Sequence, residues 1–349
     1  MTDAPEGRAP EEDRFARQTR FAPLGPEGQA RLAESSVLVV GCGALGGVLA
    51  QWLTRAGVGT LHLVDRDIVE PTNLPRQVLF TEQHAMDGAP KAHASAETLR
   101  AVGGPTRIVP HVAHLDADLL LELGAGVDLV LDGTDNMGTR YLINDFAVRE
   151  GTPWIYAGVV SGGGVVLPVL TGEGPCLRCL FPDPPPPGTL PTCDTAGVLG
   201  PAVGAVASLQ AGLAMRLLAG REPLVPALVE VDAWSGTTRH LQVPRVPACP
   251  CCGARAFDFL EGGGETEAVS LCGRNTVQVL PSGSSAAPSP DAIEEQLAGA
   301  GVASQRVGPL LRFTADGHRF TLFPDGRALV EGTEDTERAL SLVARWIGA

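Results

Sequence analysis

Apolar runs alternating with glycine-rich turns set the plan of this chain. Val37-Leu38-Val39-Val40 is a short all-apolar run, as expected of a strand buried on both faces. It runs into Gly41-Cys42-Gly43-Ala44-Leu45-Gly46, and helical spacing then continues to about Ala56. A short helix over 27–34 precedes it. Leu61–Asp65 reads as the second strand, Pro90–Ala101 as a helix and Arg107–His111 as a third strand. A helix over Leu119–Leu123, a strand over Val127–Leu131 and a helix over Asn136–Glu150 follow. Trp154–Ala157 and Val165–Leu170 complete this part as strands. Strands alternating with helices predict an α/β fold, Rossmann-like, with a mostly parallel sheet.

The pattern changes further on. Pro182–Pro187 can be neither helix nor central strand, so an exposed loop is expected. Thr195–Ala219 reads as a helix with an early break, and Val225–Val231 and Thr238–Val243 as paired strands. Residues 261–270 read as a linker, and residues 1–13 as a mobile tail. That leaves one large domain over 14–260 and a small α+β unit over 271–349. In the small unit the expected order is strand (Thr276–Leu280), helix (Ala292–Ala300), two strands (Leu310–Thr314 and His318–Phe323), a Pro-Asp-Gly turn, strand (Ala328–Val330) and helix (Thr336–Ile347).

Charge narrows the function. The 349 residues carry a net charge of −14. A nucleic-acid surface or a polybasic membrane patch needs clustered Lys and Arg, so neither partner is expected. Ser35–Thr54 and Thr195–Met215 lack charge, but glycines break up the first, and Gly197, Gly200, Pro201, Gly204 and Gly212 the second. Both read as buried elements rather than membrane spans. The N-terminal segment is polar and acidic, with no apolar core, so no secretory signal and a cytoplasmic location are expected. Of 26 basic residues, 25 are Arg and one, Lys91, is Lys. Where a site needs a compact point charge, Arg cannot substitute, which makes Lys91 a candidate on its own.

Gly41-x-Gly43-x-x-Gly46 follows a strand and opens a helix, and Asp65 ends the next strand 24 residues after Gly41. Such glycines let backbone approach a phosphate at a helix N-terminus, while the carboxylate reaches ribose hydroxyls. By itself the loop suits NAD or FAD as well as ATP. Thr72-Asn73-Leu74-Pro75-Arg76-Gln77, Lys91 and Thr134-Asp135-Asn136 favour ATP. Attack on an α-phosphate builds negative charge that Arg76 and Lys91 can meet, and Asp135 can hold Mg²⁺. The alternative for Asp135 is a helix cap. A dinucleotide-binding redox or dehydratase protein of the same fold is the alternative for the whole chain.

These motifs, with Arg14-Phe15-Ala16-Arg17-Gln18 and Gly88-Ala89-Pro90-Lys91, stand in the order and spacing of the ThiF/MoeB/HesA-type adenylyltransferases, bacterial relatives of ubiquitin-activating enzymes, which the chain resembles over roughly residues 14–253. Ala44 departs from the third loop glycine of many members. The resemblance implies ATP-dependent adenylylation of the C-terminal glycine carboxylate of a ubiquitin-like sulfur carrier ending Gly-Gly. Sulfur then moves toward molybdopterin, thiamine or thio-tRNA, with a cysteine desulfurase or other sulfur donor as a further partner. It also implies residue roles. Gly41, Gly43, Ala44, Gly46, Gln77 and Asn136 belong to the nucleotide site. Asp65 holds ribose, Asn73, Arg76 and Lys91 hold phosphates, and Asp135 positions Mg²⁺. Arg17 reaches the ATP of the other subunit, so a homodimer is implied.

Eight cysteines give a second signal. Cys176-Leu-Arg-Cys179 and Cys249-Pro-Cys251-Cys252 offer two Cys-x-x-Cys pairs, which suit a structural Zn²⁺ held by Cys176, Cys179, Cys249 and Cys252, with Cys251 the alternative fourth ligand. The 69 residues between the pairs exceed a zinc ribbon's spacing, and the family has this long-range arrangement. Cys193 precedes a helix after the proline-rich loop, where a thiol's pKa is lowered. By resemblance it forms a thioester or persulfide with the carrier; otherwise it is a spectator. Cys42 reads as a small buried filler. Cys272-Gly273-Arg274-Asn275 looks only superficially like a rhodanese loop, since too little chain follows it. The seven histidines show no metal spacing.

Overall fold

The computed structural model describes residues 14–172, 174–185, 189, 193–220, 224–262, 268–271, 275–280 and 289–348. The expected tail over 1–13, residues 263–267 of the central linker and Cys272 lie outside the described residues.

Strands β1 (Ser36–Val40), β2 (Thr60–Val64), β3 (Arg107–His111), β4 (Leu129–Asp132), β5 (Trp154–Val160), β6 (Gly163–Val169), β7 (Leu228–Asp232) and β8 (Thr237–Leu241) form one sheet in the order β3-β2-β1-β4-β5-β6-β7-β8. The pairs from β3 to β5 are parallel and those from β5 to β8 antiparallel. The strand order reverses between β1 and β4. In open α/β sheets, ligands bind outside the carboxyl ends of the strands at such a reversal. Here the glycine loop leaves β1 and Gly133-Thr134-Asp135 leaves β4, side by side.

The long charge-free segment is a core helix. Gly200–Ala219 is, among the described residues, the one helix long and apolar enough to cross a membrane by composition. It packs against the helix Ala44–Ala56 and over β5 and β6. Its buried Gln210 donates to Asp132 O (3.0 Å) and Ile155 O (2.8 Å), which ties it to two strands. The early break lies at Gly197, which has φ +73° and separates a short turn, Cys193–Ala196, from the long helix.

Six further strands form a wholly antiparallel second sheet: β9 (Ala268–Leu271), β10 (Thr276–Val279), β11 (Ser304–Val307), β12 (Leu310–Ala315), β13 (His318–Leu322) and β14 (Ala328–Glu331), in the order β11-β12-β13-β14-β10-β9. The helices Pro290–Gly299 and Thr336–Trp346 pack on it through Ile293, Leu297, Ala339, Leu342 and Val343. The sequence pattern missed both edges of this sheet. Ser304-Gln305-Arg306-Val307 has a single apolar residue and is a strand because β12 pairs with its backbone. Ala268–Leu271, expected within the linker, pairs with β10 in the same way.

Candidate functional site

Where β1 and β4 end, three backbones touch. Gly41 has φ +87°, and a Cβ on it would stand 2.7 Å from Gly133 O. A Cβ on Gly46 would stand 1.7 Å from Gly41 O, so the helix Ala44–Ala56 can start against the loop only with glycine there. Gly43 caps that helix without a side-chain hydrogen bond, so its first N–H groups remain available to an anion.

In front of them lies a cavity of about 720 Å³. Gly41, Gly43, Ala44, Asp65, Arg76 and Gln77 line it, and so do Lys91, Asp135 and Asn136. The Asp65 carboxylate accepts from the N–H of Cys42 (2.7 Å) and of Asp67 (2.7 Å), tying β2 to the glycine loop. Burial pushes its pKa up, against the pull of Lys91. Lys91 Nζ donates to Asp67 Oδ2 at 2.9 Å, and the Lys91 N–H to Asp67 O at 2.8 Å. Burial disfavours the ammonium, but Asp65, Asp67 and Asp135 together hold its pKa above the ordinary value. Lys91 therefore stays charged although only 8% exposed. Sequence reading missed Asp67; its signal was a second carboxylate two residues after Asp65.

Asp135 is not the helix cap. Asn136 fills that role, accepting from Thr139 N at 3.0 Å, and Asp135 is left exposed on the cavity wall. Arg76 reaches the wall while its Nη1 donates to Thr72 O at 2.7 Å. Gln77 Oε1 is buried with no hydrogen-bond partner, a polar atom that a ligand can satisfy. The floor holds a second group that sequence reading missed. Buried Arg140 donates to Asp132 Oδ2 (3.0 Å), Thr134 O (2.6 Å) and Ala157 O (3.0 Å), and stacks on Tyr156. Arg140 holds the Thr134-Asp135 turn to β5.

Three expected site residues lie off this wall. Gly46 packs behind the loop. Asn73 is buried, and its Oδ1 accepts from Glu70 N at 3.0 Å, so it shapes the turn that presents Arg76. Arg17 is exposed on the turn Ala16–Thr19, which Gln18 pins by donating to Ala56 O at 3.0 Å. The backbone of Cys193 opens the turn before Gly197, and its side chain lies outside the described residues. Beside the cavity runs a groove of about 850 Å³ over Ser161–Gly164, Gly197, Leu199 and Trp234. Groove and cavity share Val160, Gly164, Val165 and Val198, so one opens into the other.

A separate thiol cluster sits on the sheet face that the helix Met137–Glu150 covers. The sulfurs of Cys176, Cys179, Cys249 and Cys252 all lie within 4.8 Å of one another, with Cys176–Cys249 at 3.5 Å and Cys179–Cys252 at 3.4 Å. Four thiolates around Zn²⁺ stand about 3.8 Å apart in a tetrahedron of ~2.3 Å bonds, so the set fits that ion. Hydrogen bonding with Cys251 and burial push the Cys176 thiol up, and burial and Cys176 do the same to Cys252. Hydrogen bonds from the Cys252 and Cys251 backbone and from Cys176 outweigh burial and lower the Cys249 thiol, and four thiolates this close ionise together only around a cation. Cys251 is fully buried, lies outside the four-sulfur set, and accepts from Asn144 Nδ2 at 3.2 Å.

A family model described as the ThiF family matches residues 15–251. The chain belongs to the ThiF family. It is 40% identical over 337 residues to the sulfur carrier protein ThiS adenylyltransferase of Bacillus subtilis, covering 96% of this chain and 99% of that one. It is 44% identical over 247 residues to a sulfur carrier protein adenylyltransferase of Thermus thermophilus, covering 69% of this chain and 90% of that one. The crystal structure of E. coli MccB with ATP shares the fold, with TM-score 0.61 and 21% identity over 71% of this chain and 75% of that one. As a ThiF-family chain with these relatives, the protein is an adenylyltransferase, and the redox alternative falls away.

Proposed function

We propose that this chain activates the C-terminal carboxylate of a ubiquitin-like sulfur carrier, of the ThiS kind, by adenylylation with ATP. One carboxylate oxygen attacks the α-phosphorus, the bond to pyrophosphate breaks, and an acyl-adenylate forms. The observation that carries this reading is Lys91, a buried ammonium held by carboxylates at the mouth of a glycine loop. Charge building on the phosphate oxygens meets Lys91 and Arg76 in a site that needs no reorganisation. The free N–H groups after Gly43 receive phosphate, and Asp65 receives ribose hydroxyls. Mg²⁺ on Asp135 would neutralise phosphate charge. The Gly-walled groove that opens into the cavity suits an extended tail ending in glycines.

Zn²⁺ on Cys176, Cys179, Cys249 and Cys252 would be structural. Exposed Arg17 acts across a homodimer, and the Cys193 thiolate attacks the acyl-adenylate carbonyl, so that the acyl–phosphate bond breaks, AMP leaves and the carrier is held as a thioester. A cytoplasmic location, where thiols stay reduced and ATP is at hand, fits this reading. The test is ATP–pyrophosphate exchange with a ThiS-like carrier. Exchange should require the intact carrier and stop when its terminal Gly-Gly is deleted. Exchange that ignores the deletion, or calorimetry showing NAD bound and ATP not, rejects the reading.

A further inference from the structure

Three loops on the rim of the nucleotide cavity are gripped by the second sheet. Arg312 on β12 donates from Nη1 to Asp87 O (2.6 Å) and from Nη2 to Gly88 O (2.8 Å). Gly88 has φ +53°, and a Cβ there would stand 2.6 Å from Arg312 Nη2. This is the turn that delivers Lys91, three residues on. Asp325, in the turn between β13 and β14, accepts from His114 N at 3.2 Å. Arg327, 2% exposed and stacked 3.6 Å over Phe323, donates to Arg66 O, one residue before Asp67. Arg66 and His114 line the cavity and meet each other at 2.9 Å.

A greasy tether would hold the second sheet anywhere on the first. Guanidinium-to-carbonyl bonds are directional and charge-assisted, so they fix where each loop stands. The gripped loops converge on one pair, Lys91 and Asp67, whose two contacts are 2.9 and 2.8 Å. Small displacements there misplace a charge meant for the phosphates. We infer that the C-terminal unit is a working part of the nucleotide site, with Arg312, Asp325 and Arg327 positioning Lys91, His114 and Asp67. This rests on the adenylylation reading. The Thermus relative carries its adenylyltransferase name while 90% of its length covers only 69% of this chain. The unit's effect is therefore on placement, not on the existence of the reaction.

The test uses the full chain. Arg312→Ala and Asp325→Ala should each raise KM for ATP about five- to tenfold, the net size of one ordinary hydrogen bond, and more than they change kcat. Amide hydrogen exchange without nucleotide should quicken at residues 66–67, 87–91 and 113–115. Arg312→Lys, which can serve one carbonyl of the two, should recover part of the KM. Arg306→Ala, whose guanidinium pairs with Asp291 and Glu294 inside the unit, should leave KM and those loops unchanged. Folded Arg312→Ala and Asp325→Ala chains with wild-type KM and wild-type loop protection would overturn the inference. Loops that loosen as expected, in a protein whose wild type adenylylates no carrier, would reject the adenylylation reading and leave the positioning of these loops standing.

Discussion

The thiol cluster and the nucleotide cavity both gather polar groups from distant parts of the chain, but they are finished in opposite ways. Cys176 and Cys249 are each 1% exposed, and the four sulfurs lie within 4.8 Å of one another. The cavity keeps its groups open: Asp135 is exposed and Gln77 Oε1 has no partner. A site for an ion that stays draws its donors into the protein interior. A site for a substrate that must leave keeps donors and acceptors unsatisfied until it arrives. The first kind of site contributes to folding, the second to rate.

That contrast can be broken at either end. The largest effect is expected at the cluster. Cys176→Ser, or removal of the metal by a chelator, should lower the melting temperature by more than about 10 °C, since structural zinc binding is linked to folding free energy. Superimposed melting curves with and without chelator would make the cluster ornamental. Next comes Lys91→Arg. Pyrophosphate exchange should fall at least ~100-fold while the melting temperature moves by less than about 3 °C, because a planar fork cannot occupy a point-charge position. A large loss of stability instead would turn Lys91 into a structural residue and erase the distinction.

Asp67→Asn sharpens the comparison inside the cavity. Lys91 loses its nearest charge at 2.9 Å, and pyrophosphate exchange at subsaturating ATP should fall about tenfold. A smaller effect is expected at Cys251→Ser. Its sulfur bonds Asn144 rather than joining the four, so elemental analysis should still find one Zn²⁺ per chain, at a stability cost of about 1 kcal/mol. Loss of the metal would move Cys251 into the ligand set. The smallest effect on adenylylation belongs to Cys193→Ala. Pyrophosphate exchange should stay near wild type, while a reductant-sensitive carrier adduct, present with the wild type, disappears and sulfur transfer slows. Undiminished transfer with no adduct in either protein would leave Cys193 a spectator.

Much of the first sheet was legible because its signals are local. An all-apolar run marked β1, the strand expected over Val127–Leu131 overlaps β4, and Arg107–His111 is the observed β3. Glycines at 41 and 46 carried the backbone contact that they make. Other features had no local signal. β11 is polar and exists through its neighbour. Arg140 looks like any helical arginine until Asp132 lies beneath it. Asn73, a phosphate ligand by resemblance, accepts from Glu70 N through its Oδ1, a local contact that the motif does not announce.

By itself, the sequence determined the alternation of strands and helices, the glycine loop, the lone lysine and the two cysteine pairs. Each is written in short-range spacing, which backbone geometry converts directly into local structure. Only the tertiary structure decided which cysteine stands in the four-sulfur set, which acid holds Lys91, what seals the cavity floor, and that Arg312, Asp325 and Arg327 reach across to its rim. Those are contacts through space between residues as far as 261 positions apart. Their distances depend on how the packed sheets meet, and no periodicity along the chain records that.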